Sequence, residues 1–498
     1  MKTIKRFMAA ITLTLIAVAA CLTPSLNASA NGQSTIQSYT EDSAKASHTP
    51  GISASVTTKS GTEFYSYGYT DKSKKTSVDP NTFFFLGSVS KSYTGFAIMF
   101  LDERGEIDIN EPITKYIPWL NFRLNGQEYS GSQVTIANFL YHTSGLTNKK
   151  HLKLSVMENS EDILEQNVRA LVGADLAFEP SSQYEYGSPN YNVLAYLIET
   201  VTGKSFATFM TEEILEPLGL HENTLLFQEN AAGNLAVGHK PAFFGTRSLV
   251  MPAALVDGSK STGFILASSE GISRWLNIFS GKTYISDFWT ALVKRALTPD
   301  TSVEAVDGSY YAAGWMITED GSMIHHDGEV PGFNSRVIIL PDEGVTISVL
   351  ANSSSIFAPD VAKGINVLLH GGKPTMPGDS IFAVLDTITS AASIVLFIAI
   401  CLLTFLIIRR VSRIVSNSHK FGLPTVKGFI IIGITSIVST FAIVFSAIFP
   451  SFFGYFWGKF FLGFMSLAVP LAFILLSVTA ILFFAHNTLL AISHKTQG

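Results

Sequence analysis

Gly87-Ser88-Val89-Ser90-Lys91 sets a serine and a lysine three residues apart. If a helix begins here, both side chains share one face. The serine then sits among unpaired backbone N–H groups at the positive end of the helix dipole. An amine buried enough to be neutral can take the serine proton, which a serine near neutral pH must lose to attack a carbonyl. Taken alone, the pattern equally describes a helix N-cap followed by a solvated lysine. Two more constellations have chemical content. Tyr184-Glu185-Tyr186-Gly187-Ser188-Pro189-Asn190-Tyr191 offers a tyrosine that can act as general acid or base if a nearby charge lowers its pKa. The plainer reading of that stretch is a tyrosine-rich turn packed on the core. His325-His326-Asp327-Gly328-Glu329-Val330-Pro331-Gly332-Phe333 puts an imidazole two residues before a glycine, which suits an extended ligand at a strand edge. Neighbouring strand residues face opposite ways, so His325 and His326 cannot share an ion, and neither a metal nor another cofactor is expected.

The elements that must carry these residues follow from periodicity. Residues 51–56 and 61–69 alternate like two strands joined at Lys59-Ser60-Gly61, and 83–86 reads as a third strand running into Ser88. Helical spacing follows from Ser90 to Leu101, then at 134–141, 160–172, 189–202, 206–215 and 269–279. Strand-like runs return at 311–317, 322–326, 334–340 and 345–351. Strands at both ends with helices between predict an α+β domain over 49–370. Its antiparallel sheet is flanked by helices and accompanied by a helical subdomain.

The rest of the chain reads as an address. Residues 1–30, with Lys2, Lys5 and Arg6 before a short apolar run and Ala28-Ser29-Ala30 at its end, are expected to be a signal peptide. A retained anchor, or a lipidated Cys21, are the alternatives. Residues 31–48 are polar and aperiodic, which predicts a linker, as does 371–385 with Gly371-Gly372-Lys373-Pro374. Three apolar segments at about 388–408, 428–449 and 460–484 predict a three-helix membrane domain over 386–486 in contact with lipid. Arg409, Arg410, Arg413, Lys420 and Lys427 place the intervening loop in the cytoplasm, and Phe452, Phe453, Tyr455, Phe456 and Trp457 mark the opposite interface. The catalytic domain is therefore expected outside the cell. A hydrophobic fraction of 47% with 15% charged residues agrees with part of the chain lying in lipid. A net charge of −5 without basic blocks before the C-terminal region argues against nucleic acid as a partner. Only Cys21 and Cys401 are present, which leaves no cysteine nucleophile or cysteine-based zinc site in the catalytic region.

Read in order, 85–91, Val134-Thr135-Ile136 leading to His142-Thr143-Ser144-Gly145-Leu146, 186–191, Pro217-Leu218-Gly219-Leu220, Gly314-Trp315 and His326-Asp327-Gly328 resemble the class C β-lactamase and D-alanyl-D-alanine peptidase-like family, related to penicillin-binding proteins. The resemblance covers roughly 45–370. It implies that Ser88 is the acylated nucleophile, Lys91 its activating partner and Tyr186 the acid/base tyrosine. It also implies that His326 and Gly328 form the third motif, and that the backbone N–H groups of Ser88 and Glu329 form an oxyanion hole. His142 reads as scaffold. Two positions depart from the family pattern: Ser188 stands where a substrate-holding Asn is expected, and His326 where a Lys is frequent. An imidazole grips a substrate carboxylate weakly at neutral pH and better below about 6.5. The implied activity is a serine hydrolase acting on peptide, amide or ester bonds of cell-wall D-alanyl type, with weak β-lactam hydrolysis. A membrane-bound penicillin-binding or cell-wall-sensing receptor is the alternative. A transporter is disfavoured, because the three apolar segments carry no Asp, Glu, Lys or Arg.

Overall fold

The computed structural model describes residues 35–73, 75–130, 133–151, 162–231, 233–452, 464 and 466–496. It contains two compact units, the first covering Ser34–Lys240 with Thr246–Ser380, the second containing Ile381–Gly498.

The first unit is α+β and organised by one antiparallel sheet of eight strands. These are β1 (Gly51–Thr58), β2 (Gly61–Asp71), β3 (Thr76–Ser77), β4 (Ser309–Tyr311), β5 (Met316–Thr318), β6 (Ile324–Val330), β7 (Phe333–Leu340) and β8 (Val345–Ala351), in the spatial order β4-β5-β6-β7-β8-β1-β2-β3. The first and last stretches of the unit meet in the middle, where Ile52 opposes Ala351 and Val56 opposes Ile347. Their side chains alternate between two cores. Ile52, Ala54, Ile347 and Val349 belong to one core. Val330, Phe333 and Val337 belong to the larger one, built with the helices between the strand groups. The run at 311–317 is not one strand. It breaks between β4 and β5 because Gly314, at φ +83°, turns the chain so tightly against the Lys91 carbonyl that a Cβ would lie 2.3 Å from that oxygen. At 83–86 only Phe84–Phe85 is a strand, and it pairs with Leu266–Ala267 in a separate small sheet rather than joining the main one.

Residues 31–48, expected as a linker, instead contain helix α1 (Ile36–Ala46). Thr35 caps it, its hydroxyl accepting from the Ser38 N–H at 3.1 Å while the Ser38 hydroxyl reaches back to the Thr35 backbone. Tyr39 and Ala44 are buried, and the Tyr39 hydroxyl donates to the Thr375 carbonyl at 3.0 Å. The apolar stripe is only Ile36, Tyr39 and Ala44 amid Ser, Thr and Gln, too narrow to register as periodicity. Four further helices matter below: α2 (Ser90–Glu103), α3 (Ser188–Thr202), α4 (Ser269–Phe279) and α5 (Ala358–Leu369).

The second unit holds α6 (Ile381–Val415), α7 (Val426–Phe452) and α8 (Ala468–Ile492), three helices long and apolar enough to cross a membrane. At 1.5 Å per residue, the 35 residues of α6 extend about 52 Å, well beyond roughly 30 Å of hydrocarbon. It outruns the apolar segment 388–408 at both ends, since Asp386 and Arg409, Arg410 and Arg413 interrupt hydropathy without interrupting the helix. The third helix lies downstream of the expected 460–484, starting with Pro470 in its first turn and continuing past His486 and Asn487. Polar side chains join α8 to its neighbours: Ser439 Oγ donates to the Ala480 carbonyl at 2.8 Å, and Ser393 Oγ to that of Ala468 at 3.5 Å. Phe397, Phe441 and Ile474 point outward. The signal peptide, Cys21 and the aromatic run 453–457 lie outside the described residues.

If α1 is part of the folded unit, Tyr39→Ala should destabilise the full-length protein in detergent by about 3–5 kcal/mol, as for a large buried aromatic. Denaturant unfolding measures this. A shift below about 0.5 kcal/mol would be the behaviour of a linker residue.

Candidate active site

Ser88 sits in a single 3₁₀ turn, Gly87–Val89, that leads directly into α2. Gly87 at φ +56° is what brings the strand edge to the serine, because a Cβ there would stand 2.3 Å from the Glu329 backbone nitrogen. Only a residue without a side chain allows β6 that close, and the approach places the Glu329 amide beside Ser88. Gly328 packs against the Leu86 carbonyl, which also accepts from Ser335 Oγ at 2.7 Å. On its other edge β6 pairs with β5 only at Ile324 and His325, leaving 326–330 free of a strand partner on the side of the serine.

Helix α2 is buried along nearly its whole length, and Lys91 is buried with it. Tyr93 stacks on Trp275 of α4 at 4.1 Å, and the Trp275 indole N–H donates to Ser92 Oγ at 3.0 Å, fixing the helix against its neighbour. Lys91 Nζ lies 3.1 Å from Ser88 Oγ and donates to the Thr262 carbonyl at 2.7 Å. Burial alone pushes the lysine pKa well below its usual value. The amine is therefore poised to be neutral, with N–H directed at Thr262 and a lone pair available for the Ser88 proton.

Tyr186 faces the same pocket. Its ring lies 5.0 Å from Lys91 Nζ, and its shielded hydroxyl makes no normal hydrogen bond, although it lies near enough to Ser88 for the serine to lower its pKa. Burial outweighs that effect and the phenol is raised above its ordinary value. This corrects the expectation that a neighbouring charge lowers it: burial is the largest influence on the phenol, and the same burial disfavours the charged form of Lys91. A raised phenol keeps its proton and a lowered amine gives its own up readily, so the arrangement suits Tyr186 as a proton donor and Lys91 as a base.

His326 departs further from expectation. Its Nδ1 lies 2.6 Å from the Asp327 carbonyl, which can only accept, so the proton is on Nδ1. Its Nε2 then accepts from the Tyr311 hydroxyl at 3.2 Å. Both ring nitrogens are committed within the protein. Burial above all holds the pKa at about 3, and any positive charge that Lys91 acquires lowers it further, so the imidazole does not become a cation near pH 6.5 as the bare residue type suggests. Ser188 opens α3, and its backbone N–H donates to Asn148 Oδ1 at 2.7 Å. Glu329 contributes its backbone amide at Gly87, while its side chain points to the face of β6 opposite His326.

Two contributors, Thr262 and Tyr311, escaped sequence reasoning. Thr262 acts through its carbonyl, and no residue type reports that. Tyr311 follows another tyrosine just before Gly314-Trp315, a visible aromatic cluster without a chemical signature. His142, read as scaffold, packs its ring 4.5 Å from Tyr186 and 4.6 Å from Tyr311. Its Nδ1 accepts from the Gly187 N–H at 3.3 Å and lies 3.1 Å from Asn190 Nδ2, which clamps the turn carrying Tyr186.

A serine at a helix start, a desolvated lysine, a buried phenol and a strand edge beside an eight-stranded antiparallel sheet define the active-site-serine hydrolases of the penicillin-recognising kind. The chain belongs to the beta-lactamase family, whose model matches residues 34–371. It is 26% identical over 346 residues to Protein flp of Staphylococcus aureus (strain MRSA252), covering 69% of this chain and 67% of that one. It is 25% identical over 350 residues to Penicillin-binding protein 4* of Bacillus subtilis (strain 168), covering 65% and 73%. The octameric penicillin-binding protein homologue from Pyrococcus abyssi shares the fold, with a TM-score of 0.57 and 23% identity over 70% of this chain and 79% of that one.

Acylation by a neutral Lys91 should fail as pH falls through the lysine's lowered pKa. His326→Gln should leave that acid limb in place, since the His326 imidazole is uncharged above about pH 3. A limb that moves with the His326 substitution would reverse the assignment. Stability gives a second measure. The unfolded chain binds the Lys91 proton below about pH 10.4 and the folded chain does not until its lowered pKa is reached, so native stability rises with pH across that window. Lys91→Met should therefore raise the melting temperature at pH 7, and the advantage should vanish above about pH 10.5.

Proposed function

We propose that the protein is a membrane-anchored, extracytoplasmic serine hydrolase that forms an acyl-enzyme at Ser88 on peptide, amide or ester substrates of cell-wall D-alanyl type. The observation carrying this reading is the 3.1 Å approach to Ser88 Oγ of a buried Lys91 amine that has no counter-ion among the described residues. Lys91 takes the hydroxyl proton as Oγ bonds to the substrate carbonyl carbon. The oxyanion is received by the backbone amides of Ser88 and Glu329. Collapse breaks the bond to the leaving group, which takes a proton from Tyr186 or from protonated Lys91, and water later cleaves the ester at Ser88. The outward orientation rests on Arg409, Arg410, Arg413, Lys420 and Lys427 between the first two apolar segments.

A penicillin-binding receptor that acylates without turnover is the second reading. It is favoured by the internal engagement of both His326 nitrogens and by a serine at 188, which together leave little to hold a substrate carboxylate.

Intact-mass measurement after exposure to a fluorescent penicillin and to D-alanyl esters tests acylation. An adduct on Ser88, lost in Ser88→Ala with activity down by at least ~10²–10³-fold, is expected. An adduct that persists in Ser88→Ala refutes the nucleophile. Release of product distinguishes hydrolase from receptor. For orientation, protease added to intact protoplasts should remove the catalytic unit, and its protection would reverse the topology.

A further inference from the structure

Taking the Ser88 proton makes a cation in a place with no acid among the described residues to receive it. As Oγ bonds to the carbonyl carbon, the proton passes to Lys91 Nζ, and a buried amine becomes a buried ammonium. An ammonium carries three N–H groups, and each needs electron density when water is excluded. Among the described residues Nζ has two hydrogen-bond partners, Ser88 Oγ at 3.1 Å and the Thr262 carbonyl at 2.7 Å. The third N–H has no such partner.

What else surrounds Nζ is aromatic. The ring of Tyr186 has its centroid 5.0 Å from Nζ, and the ring of Tyr191 has its own 5.8 Å away. Both lie within the roughly 6 Å over which a cation is drawn to the negative face of a ring, an attraction that grows as water is removed. Tyr191 and Lys91 are both buried completely. The two tyrosines differ in what their hydroxyls do. That of Tyr186 makes no normal hydrogen bond and lies near Ser88, as a proton donor requires. That of Tyr191 donates to the Leu140 carbonyl at 3.0 Å, so Tyr191 meets Lys91 with its ring alone.

The ring is fixed where it stands. Tyr191 is the fourth residue of α3, and the start of that helix is held by Asn190 Nδ2, which donates to the Gly187 carbonyl at 3.0 Å and to that of Leu146 at 3.1 Å. The His142 ring packs 5.2 Å from that of Tyr191. The other titratable groups turned towards Lys91 are His142 and, from β6, His326, which burial keeps uncharged, while the turn at 260–264 offers the Thr262 carbonyl. Strength matters as much as place. A carboxylate beside Nζ would hold the lysine charged throughout, whereas a ring face attracts weakly enough to leave the resting amine neutral.

We propose that Tyr191 is a positioning residue that acts through Lys91, its ring face joining that of Tyr186 to stabilise the ammonium formed as Ser88 attacks. The inference rests on acylation at Ser88 and adds the group that receives the charge acylation creates.

The test replaces Tyr191, in full-length protein in detergent, with phenylalanine, 4-fluorophenylalanine and 3,4,5-trifluorophenylalanine by stop-codon suppression. Phenylalanine removes the bond to Leu140 and is the reference; fluorine then withdraws negative potential from the ring face at nearly constant volume. The probe is p-nitrophenyl acetate, its cleavage measured against pH and corrected by Ser88→Ala. From phenylalanine to the trifluoro ring, acylation should fall about three- to tenfold, in steps that follow fluorine number. Its acid limb should move to lower pH by about half a unit to one unit, because an ammonium less well received loses its proton more readily. Damage that admits water would move the limb to higher pH instead. A flat series, a limb that stays or rises, or activity already lost in the phenylalanine reference overturns the role of the ring and leaves acylation standing. Absence of Ser88-dependent cleavage in the wild type overturns the acylation reading and this inference with it.

Discussion

The structure of the first unit depends on an amine taken out of water with no acid among the described residues to meet it. A buried lysine paired with a carboxylate would stay charged and be useless as a base. Here burial is the cause that acts on Lys91, and it shifts the amine towards the neutral form that could take a proton from a serine. Meeting that condition takes a helix enclosed on every side. The chain supplies it by packing α2 between α4, the Gly314 turn and the Thr262 carbonyl. The surrounding imidazoles obey the same constraint. A cationic His142 or His326 would sit next to any proton Lys91 acquires during the reaction, and burial keeps both neutral beforehand.

What the sequence revealed divides along a physical line. The proximity of Ser88 and Lys91 was legible because three residues at a helix start bring both side chains to one face, Tyr186 was singled out only by resemblance, and the strand groups were legible because they alternate over several residues. The helix at 36–46 was not, since it is held by a capping box and one tyrosine rather than by an amphipathic stripe. Charge states were the least visible. A histidine letter carries its solution pKa, whereas the engagement of both His326 nitrogens and its distance from water are properties of the folded surroundings.

The three apolar helices show where hydropathy misplaces an end. A window stops at the first cluster of charge, but backbone hydrogen bonding does not, so α6 continues through Arg409, Arg410 and Arg413. Serine hydroxyls returning to backbone carbonyls across the helix pairs, as from Ser439 to Ala480, are sited where no water competes for them.

The imidazoles that keep the site uncharged also couple the fold to acid. His142, His325 and His326 are each held below the ordinary histidine value by burial, the latter two at about 3. An unfolded chain takes up these protons below about 6.5 and the native one does not. Native stability contributed by these groups is therefore intact above that value and drains away as pH falls towards 3. With three protons in play the slope approaches about 4 kcal/mol per pH unit at its steepest. The catalytic unit is thus a proton sponge in its denatured form. Acid surroundings would limit the lifetime of the protein through its fold alone.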